Sequence, residues 1–184
     1  AVRKAGVSLE DNVAIVGACL SGLMLTALAK MAGAALVVVS DLVPYRLRAA
    51  RGFGADIAVN AGEEDLSEVV KAETDGLGAD VVFSTAPSLK ALETALEALR
   101  PGGTLLVFAP TAPGITLPVE PNKVFFREIT ITASYSTTHL ETRIALRLLR
   151  THKEFFRKLI THTFDLEQIA DAFKLAKESK ECLK

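Results

Sequence analysis

The sequence predicts an α/β fold: a doubly wound, six-stranded parallel sheet with a strand and helix appended at the C-terminus. Three observations carry that expectation. Short, apolar, β-rich runs alternate with amphipathic helical runs, the pattern of parallel strands joined by crossover helices. The runs are apolar throughout rather than at every second residue, as befits strands covered on both faces. The first of them breaks into a glycine turn that opens directly onto a helix.

The six runs are NVAIVGA, ALVVVSD, DIAVN, ADVVFSTA, GTLLVFAP and ITITASY. The first helix, from about Ser21 to Met31, is apolar nearly all round and should be the most buried. The second starts at Pro44, whose fixed φ suits a first helical turn, and ends near Gly52 and Gly54. A third opens with Asp65 and Glu68 in capping-box spacing and stops at Gly76. The fourth, SLKALETALEALRPGG, places Leu89, Leu92, Leu96 and Leu99 on one face and ends in Pro101, Gly102 and Gly103. The next connection, TAPGITLPVEPNKVFFRE, carries Pro113, Pro118 and Pro121 just after Pro110, so an extended loop is expected there rather than a crossover helix. Beyond the last run come a helix from about Leu140 to Lys153, a strand LITHTFD, and a helix from about Leu166 to Lys177. That strand has no slot in the six-stranded sheet. The expected division is a dinucleotide-binding domain over 1–153 and a C-terminal strand and helix over 154–184, with no internal repeat.

With 184 residues, 49% of them apolar, the chain can bury one substantial core. Basic and acidic side chains number 21 and 22, which leaves no global field to attract nucleic acid or an anionic membrane. Two cysteines, far apart at Cys19 and Cys182, suit a reduced, cytoplasmic protein better than a disulfide scaffold. The run Val13 to Ala29 is uncharged, but it falls short of the roughly 18 to 20 residues a membrane span needs and contains Gly17 and Gly22. A buried strand, turn and helix explain it better. The N-terminal segment has no hydrophobic signal region.

Gly17, Cys19 and Gly22 occupy the three glycine positions of a G-x-G-x-x-G turn. The first glycine allows the tight turn, the second lets backbone approach a pyrophosphate, and the third lets helix and strand pack closely. Amides around Leu20, Ser21 and Leu23 would then meet the phosphates with the positive end of the helix dipole. Asp41 lies nineteen residues beyond Gly22, at the carboxyl end of the second strand. A carboxylate there accepts the adenosine ribose hydroxyls and repels a 2′-phosphate, which favours NAD over NADP. Arg46 either reaches the same ribose edge or is a solvated helix arginine. A P-loop is disfavoured because Leu23 and Met24 stand where Lys and Ser or Thr would be needed. A methyltransferase with the same core is a rival that the proline-rich connection and the tail argue against.

The stretch from AVRKAGVSLEDNVAIVGACLSGLM through VVVSD, RGFGAD, GLGADVVFSTA, ALRPGGTLLVFA and FFREITITASY to LITHTFDLEQIADAFKLA resembles the cofactor half of the medium-chain, zinc-type alcohol dehydrogenases, in their polyol and threonine dehydrogenase branch. The resemblance covers the chain essentially from end to end. It implies a Rossmann fold and hydride transfer between NAD(H) and a secondary alcohol or ketone, at a cleft shared with a separate β-rich catalytic domain. It also implies a homodimer formed through the last strand of the sheet, about Ile129 to Tyr135.

Three departures accompany it. The family holds catalytic zinc through cysteine, histidine and acidic residues of the other domain. Here Cys19, Cys182, His139, His152 and His162 show no ligand spacing, so zinc is expected only in that absent domain, and this chain is expected to hold no catalytic residue and to be inactive alone. His162 is expected to help pack the returning strand. Cys19 puts a thiol where phosphate oxygens should pass, at a steric cost of roughly 1 to 2 kcal/mol if the position needs φ > 0. Two outcomes stay open for it: a tolerated small side chain with weaker binding, or a site gated by thiol oxidation. An alternative follows in which the chain is a non-catalytic NAD(H)-binding or scaffold domain. The third departure is STAPS, where the family often has an acid and a glycine. Ser84, Thr85 and Ala86 should still line the nicotinamide side of the crevice, together with Phe108 and Ala109. The basic stretch Arg143, Arg147, Arg150, Lys153, Arg157 and Lys158 reads as a solvated face rather than an anion site.

Overall fold

A computed structural model of the protein describes residues 1–178 and 181–183; residues 179, 180 and 184, at the end of the expected 154–184 segment, lie outside the described residues. The chain forms two compact units, Ala1–Ser134 and Tyr135–Lys184.

The first unit holds six strands: β1 (Asn12–Val16), β2 (Leu36–Asp41), β3 (Ile57–Asn60), β4 (Ala79–Ser84), β5 (Leu99–Val107) and β6 (Thr130–Ala133). All pair in parallel, in the order β3-β2-β1-β4-β5-β6. The six-stranded parallel sheet is therefore as expected. Its helices are α1 (Val2–Ala5), α2 (Leu20–Met31), α3 (Pro44–Gly52), α4 (Leu66–Ala72), α5 (Leu89–Glu97) and α6 (Pro121–Arg127).

Alternation of side chains along a strand explains why the runs are continuously apolar. Ala14, Val16, Val82 and Leu105 join Leu66 and Val70 of α4 and Ala91 and Ala95 of α5 in one buried cluster. Val13, Ile15, Val81, Phe83 and Leu106 alternate with them and are equally buried, on the face where α2 lies against β1 and β2. Each fully buried Val, Ile, Leu or Phe contributes roughly 1.5 to 3 kcal/mol, so the inner strands dominate the stability of the unit. α2 buries Gly22, Leu23, Leu25, Thr26, Ala27 and Ala29, in keeping with its apolar circumference.

Several local expectations need correction. The fourth helix does not carry Leu99: α5 stops at Glu97, and Leu99 already pairs with Ala79 as the first residue of β5. Arg100 to Gly103 form an irregularity in that strand, because Gly102 adopts φ 75 and Pro101 donates no backbone bond. The third helix ends at Ala72 rather than Gly76, and the Glu68 carboxylate lies 3.6 Å from Lys71 Nζ. The proline-rich connection contains a helix after all. Pro121 sits at the first position of α6, where its missing N–H costs nothing, and α6 closes at Glu128, with φ 52.

In the second unit, α7 (His139–Thr151) opens with a Thr138–Glu141 capping box, α8 (Lys153–Arg157) follows a break at His152, and a 3-10 turn (Leu166–Gln168) leads into α9 (Ile169–Glu178). The expected strand LITHTFD is not a strand. A strand is defined by its ladder, and no described segment pairs with residues 159–165. His162 is exposed; its Nδ1 lies 3.0 Å from Thr161 Oγ1, so it does not pack a returning strand. Among the described residues no helix is long and apolar enough to cross a membrane.

Candidate functional site

Chain order reverses between β1 and β4: from β1 the chain moves outward to β2 and β3, then returns to lay β4 on the other side of β1. Open parallel sheets bind ligands in the crevice beyond the strand carboxyl ends at such a point. Here that crevice is bounded by the turn after β1, the end of β2 and the segment after β4.

The turn is held by close packing and by a hydroxyl. Gly17 has φ +104, and a Cβ there would stand 2.6 Å from Thr85 Oγ1. A Cβ on Gly22 would fall 1.9 Å from the Gly17 carbonyl oxygen, so α2 approaches the turn as only glycine permits. Thr85 fastens the turn to β4: its hydroxyl lies 2.7 Å from Gly17 O and 3.0 Å from Val16 O, and its amide donates to Val16 O at 2.9 Å. Cys19 takes φ −65 and ψ 177, ordinary extended geometry. The cost that a left-handed position would carry does not arise, because Cys19 is the residue that precedes α2 and has extended backbone. Its thiol does not cap α2, whose opening amides receive no side-chain cap. Leu20, Ser21 and Gly22 thus present the unsatisfied donors that any helix opening has.

Asp41 closes β2 with both carboxylate oxygens on backbone. Oδ2 accepts from Ala18 N at 2.7 Å, and Oδ1 accepts from Val43 N at 2.9 Å. The carboxylate therefore braces the glycine turn while each oxygen keeps a further lone pair for a ligand. Arg46 Nη1 lies 3.9 Å from Asp41 Oδ2, so this arginine stands at the same edge rather than in free solvent.

A cleft of about 470 Å3 runs from this corner, lined by Gly17, Asp41 and Arg46 on one side and by Ala86, Ser88, Lys90 and Thr94 on the other. Ala61, Glu64 and Asp65 border it from the end of β3 and the start of α4. Of the residues expected from sequence, Gly17, Asp41, Arg46 and Ala86 line this cleft directly, while Cys19, Leu20, Ser21 and Gly22 form the adjoining turn and helix opening. Phe108 and Ala109 lie at the end of β5, their amides donating to Ser84 O at 2.9 and 3.2 Å. Ser84 itself is fully buried, and its hydroxyl has no hydrogen-bond partner among the described residues.

Sequence reasoning missed Ala61, Ser88, Lys90 and Thr94. Ala61 immediately follows β3, and Ser88 is the residue that caps α5 by accepting from Ala91 N, so the rule about strand ends extended to β3 and α5 would have found them. Asp65 caps α4 by accepting from Ser67 N at 2.7 Å and Glu68 N at 3.3 Å. Partial burial pushes its carboxyl up, but the bonds from Ser67 and Glu68 and the charge of Lys90 outweigh this and hold it below its ordinary value. A larger cleft, about 690 Å3, lies between α5 and α6, away from the strand ends at the switch point.

Comparison with known proteins agrees with this geometry. The family model described as zinc-binding dehydrogenase matches residues 22–151. Sorbitol dehydrogenase of Bacillus subtilis is 34% identical over 175 residues, covering 95% of this chain and 49% of that protein. L-threonine 3-dehydrogenase of Symbiobacterium thermophilum is 34% identical over 167 residues, covering 89% and 47%. Among solved structures, alcohol dehydrogenase TADH from Thermus sp. ATN1 superposes with a TM-score of 0.90 at 28% identity, over 99% of this chain and 52% of that one. A protein of Escherichia coli CFT073 described as a short chain alcohol dehydrogenase complexed with cofactor NADH superposes with a TM-score of 0.87 at 25% identity, over 98% and 53%. The chain thus spans about half the length of the curated relatives it matches. On the glycine turn, the parallel sheet and these matches, the chain belongs to the zinc-binding dehydrogenase family, the zinc-type medium-chain alcohol dehydrogenases, in their polyol and threonine dehydrogenase branch.

Proposed function

We propose that this chain is the NAD(H)-binding part of a zinc-type alcohol or polyol dehydrogenase that moves hydride between NAD and a secondary alcohol or ketone. The observation that carries the reading is the uncapped opening of α2 set beside the Asp41 carboxylate. The cradle fits a dinucleotide: Gly22, where a Cβ would collide with the Gly17 carbonyl oxygen, lets α2 close onto the turn, and the amides of Leu20, Ser21 and Gly22 offer donors to a diphosphate. Asp41, with Arg46 beside it, takes the adenosine ribose, and its negative charge disfavours a 2′-phosphate, so NAD is chosen over NADP. Thr85 and Ala86 after β4 and Phe108 and Ala109 after β5 frame the nicotinamide side, and Ser84, buried at the end of β4, supports them through its carbonyl, which accepts from the Phe108 and Ala109 amides. When bound, the cofactor would accept hydride from an alcohol or donate it to a ketone, and this chain's residues would fix its orientation.

Among the described residues no three His, Cys, Asp or Glu gather to hold a metal, so no step is assigned to zinc here. In this reading the metal and the catalytic residues belong to a β-rich catalytic domain, and the chain alone turns over nothing. The setting is cytoplasmic, the partner a small alcohol or ketone, and two copies pair through β6. NADH fluorescence titration of the chain tests the proposal. Saturable binding in the micromolar range is expected, with at least a tenfold loss in Asp41→Ala, where a charge-assisted bond and the brace on the turn both go. No saturable binding, either by the native chain or by Cys19→Gly, overturns it in favour of a scaffold domain.

A further inference from the structure

The glycine turn carries a side chain at its second position, and where that thiol goes decides whether a diphosphate can reach the amides of α2. Cys19 Sγ turns toward β4: it lies 3.6 Å from Thr85 Oγ1 and 4.0 Å from Thr85 O. The Thr85 hydroxyl has one proton, and its nearest acceptor is Gly17 O at 2.7 Å. Its oxygen lone pairs are then available to accept from the thiol, giving a chain from Cys19 S–H to Thr85 O–H to the Gly17 carbonyl. The anchor is rigid, since Thr85 is only 5% exposed and its amide is bonded to Val16 O. The thiol makes no capping bond to α2.

We propose that Thr85 is a positioning residue for the cofactor site: its hydroxyl parks the Cys19 thiol against the end of β4 and so keeps the opening of α2 clear. This rests on the NAD(H) reading above. The Cys19–Thr85 pair takes the place of the missing glycine, a steric substitute rather than a defect. Thr85 also fastens Gly17, so a single substitution mixes two effects; a double-mutant cycle separates them.

The experiment compares NADH affinity in the native chain, Thr85→Val, Cys19→Gly and the double variant. Losing the hydroxyl is expected to cost about five- to tenfold more in affinity with cysteine at 19 than with glycine there, the size of one modest hydrogen bond, since only the fastening of Gly17 is lost in the glycine background. Thr85→Ser, which keeps the hydroxyl, should retain native affinity. Equal cost in both backgrounds, or no cost in either, overturns the proposal. So does a Cys19→Gly variant that binds more than about tenfold tighter than the native chain, since a parked thiol obstructs little; that comparison stands even if Thr85→Val fails to fold. A readout independent of cofactor is maleimide alkylation of Cys19 in a Cys182→Ser background, which Thr85→Val should accelerate. Faster alkylation with no NADH binding by any variant keeps the parked thiol and removes the NAD(H) reading; unchanged alkylation removes the parked thiol.

Discussion

β1 and β6 are made of similar residues, NVAIV and TITA, yet they live in opposite conditions. In the middle of the sheet Val13, Ala14 and Ile15 are shut off from water, while at the edge Ile131 is 41% exposed and Tyr135 beyond it wholly so. The difference lies in neighbours, not composition. β1 is paired on both sides and roofed by α2 and α5; among the described residues β6 pairs only with β5. The inner half of the sheet is complete within this chain, which leaves its strand ends available to hold a ligand. The edge presents an unpaired ladder and an apolar surface, the condition under which a second copy adds most.

The largest expected effect breaks the centre. Gly22→Ala forces a Cβ to within 1.9 Å of the Gly17 carbonyl oxygen, a backbone atom that cannot rotate away. α2 must move off the turn, with a cost of about 3 kcal/mol or more. For a chain of this size that lowers the thermal midpoint by roughly 6 to 12 °C. NADH binding should vanish with it. A variant that melts and binds like the native chain contradicts the packing assigned to the turn.

At the edge the same logic gives the reverse pattern. Ile131→Lys places a charge on an exposed position, so the fold should lose less than about 0.5 kcal/mol. Any self-association through β6 should weaken at least about tenfold, because a lysine there opposes edge pairing. Sedimentation velocity of the two proteins measures it. A dimer that tolerates lysine at 131 pairs through some other surface.

The same contrast explains what could be read in the sequence. Strand runs are legible because continuous apolarity has one cheap solution, burial on both sides, and all six strands of the first unit fall where the runs are. Gly17, Gly22 and Asp41 are legible because each has a backbone or charge requirement that few other residues meet. Leu99 was misplaced because an i, i+3, i+7 pattern continues smoothly from helix into strand, and only the partner Ala79 decides where the helix stops. α6 was hidden by prolines whose position within the helix, not their number, matters. LITHTFD has strand composition but no described strand beside it, and composition carries no information about partners. The placement of the Cys19 thiol is illegible for the same reason, since Thr85 is 66 residues away.

The smallest expected effect asks whether the completeness of the centre extends to the helix that borders the cleft. Asp65 caps α4, and Asp65→Ala should cost about 1 kcal/mol, the usual worth of such a cap. The cap also titrates. Partial burial opposes ionisation, but the bonds from Ser67 and Glu68 and the Lys90 charge win and lower the folded-state value. A carboxyl lowered on folding adds stability that is fully present above its unfolded value and is lost as pH falls through the folded one. Asp65→Asn keeps an acceptor oxygen and does not titrate, so it isolates the charge. The native chain should melt above Asp65→Asn near about pH 6, and the gap should close as pH falls toward about 3, below the ordinary aspartate value. Because the carboxyl is largely exposed, solvent screening keeps the gap small, and differential scanning calorimetry of the pair at several pH values is the measurement that resolves it. A gap that stays constant over that range shows that the Asp65 oxygens cap α4 by geometry alone, with no contribution from charge.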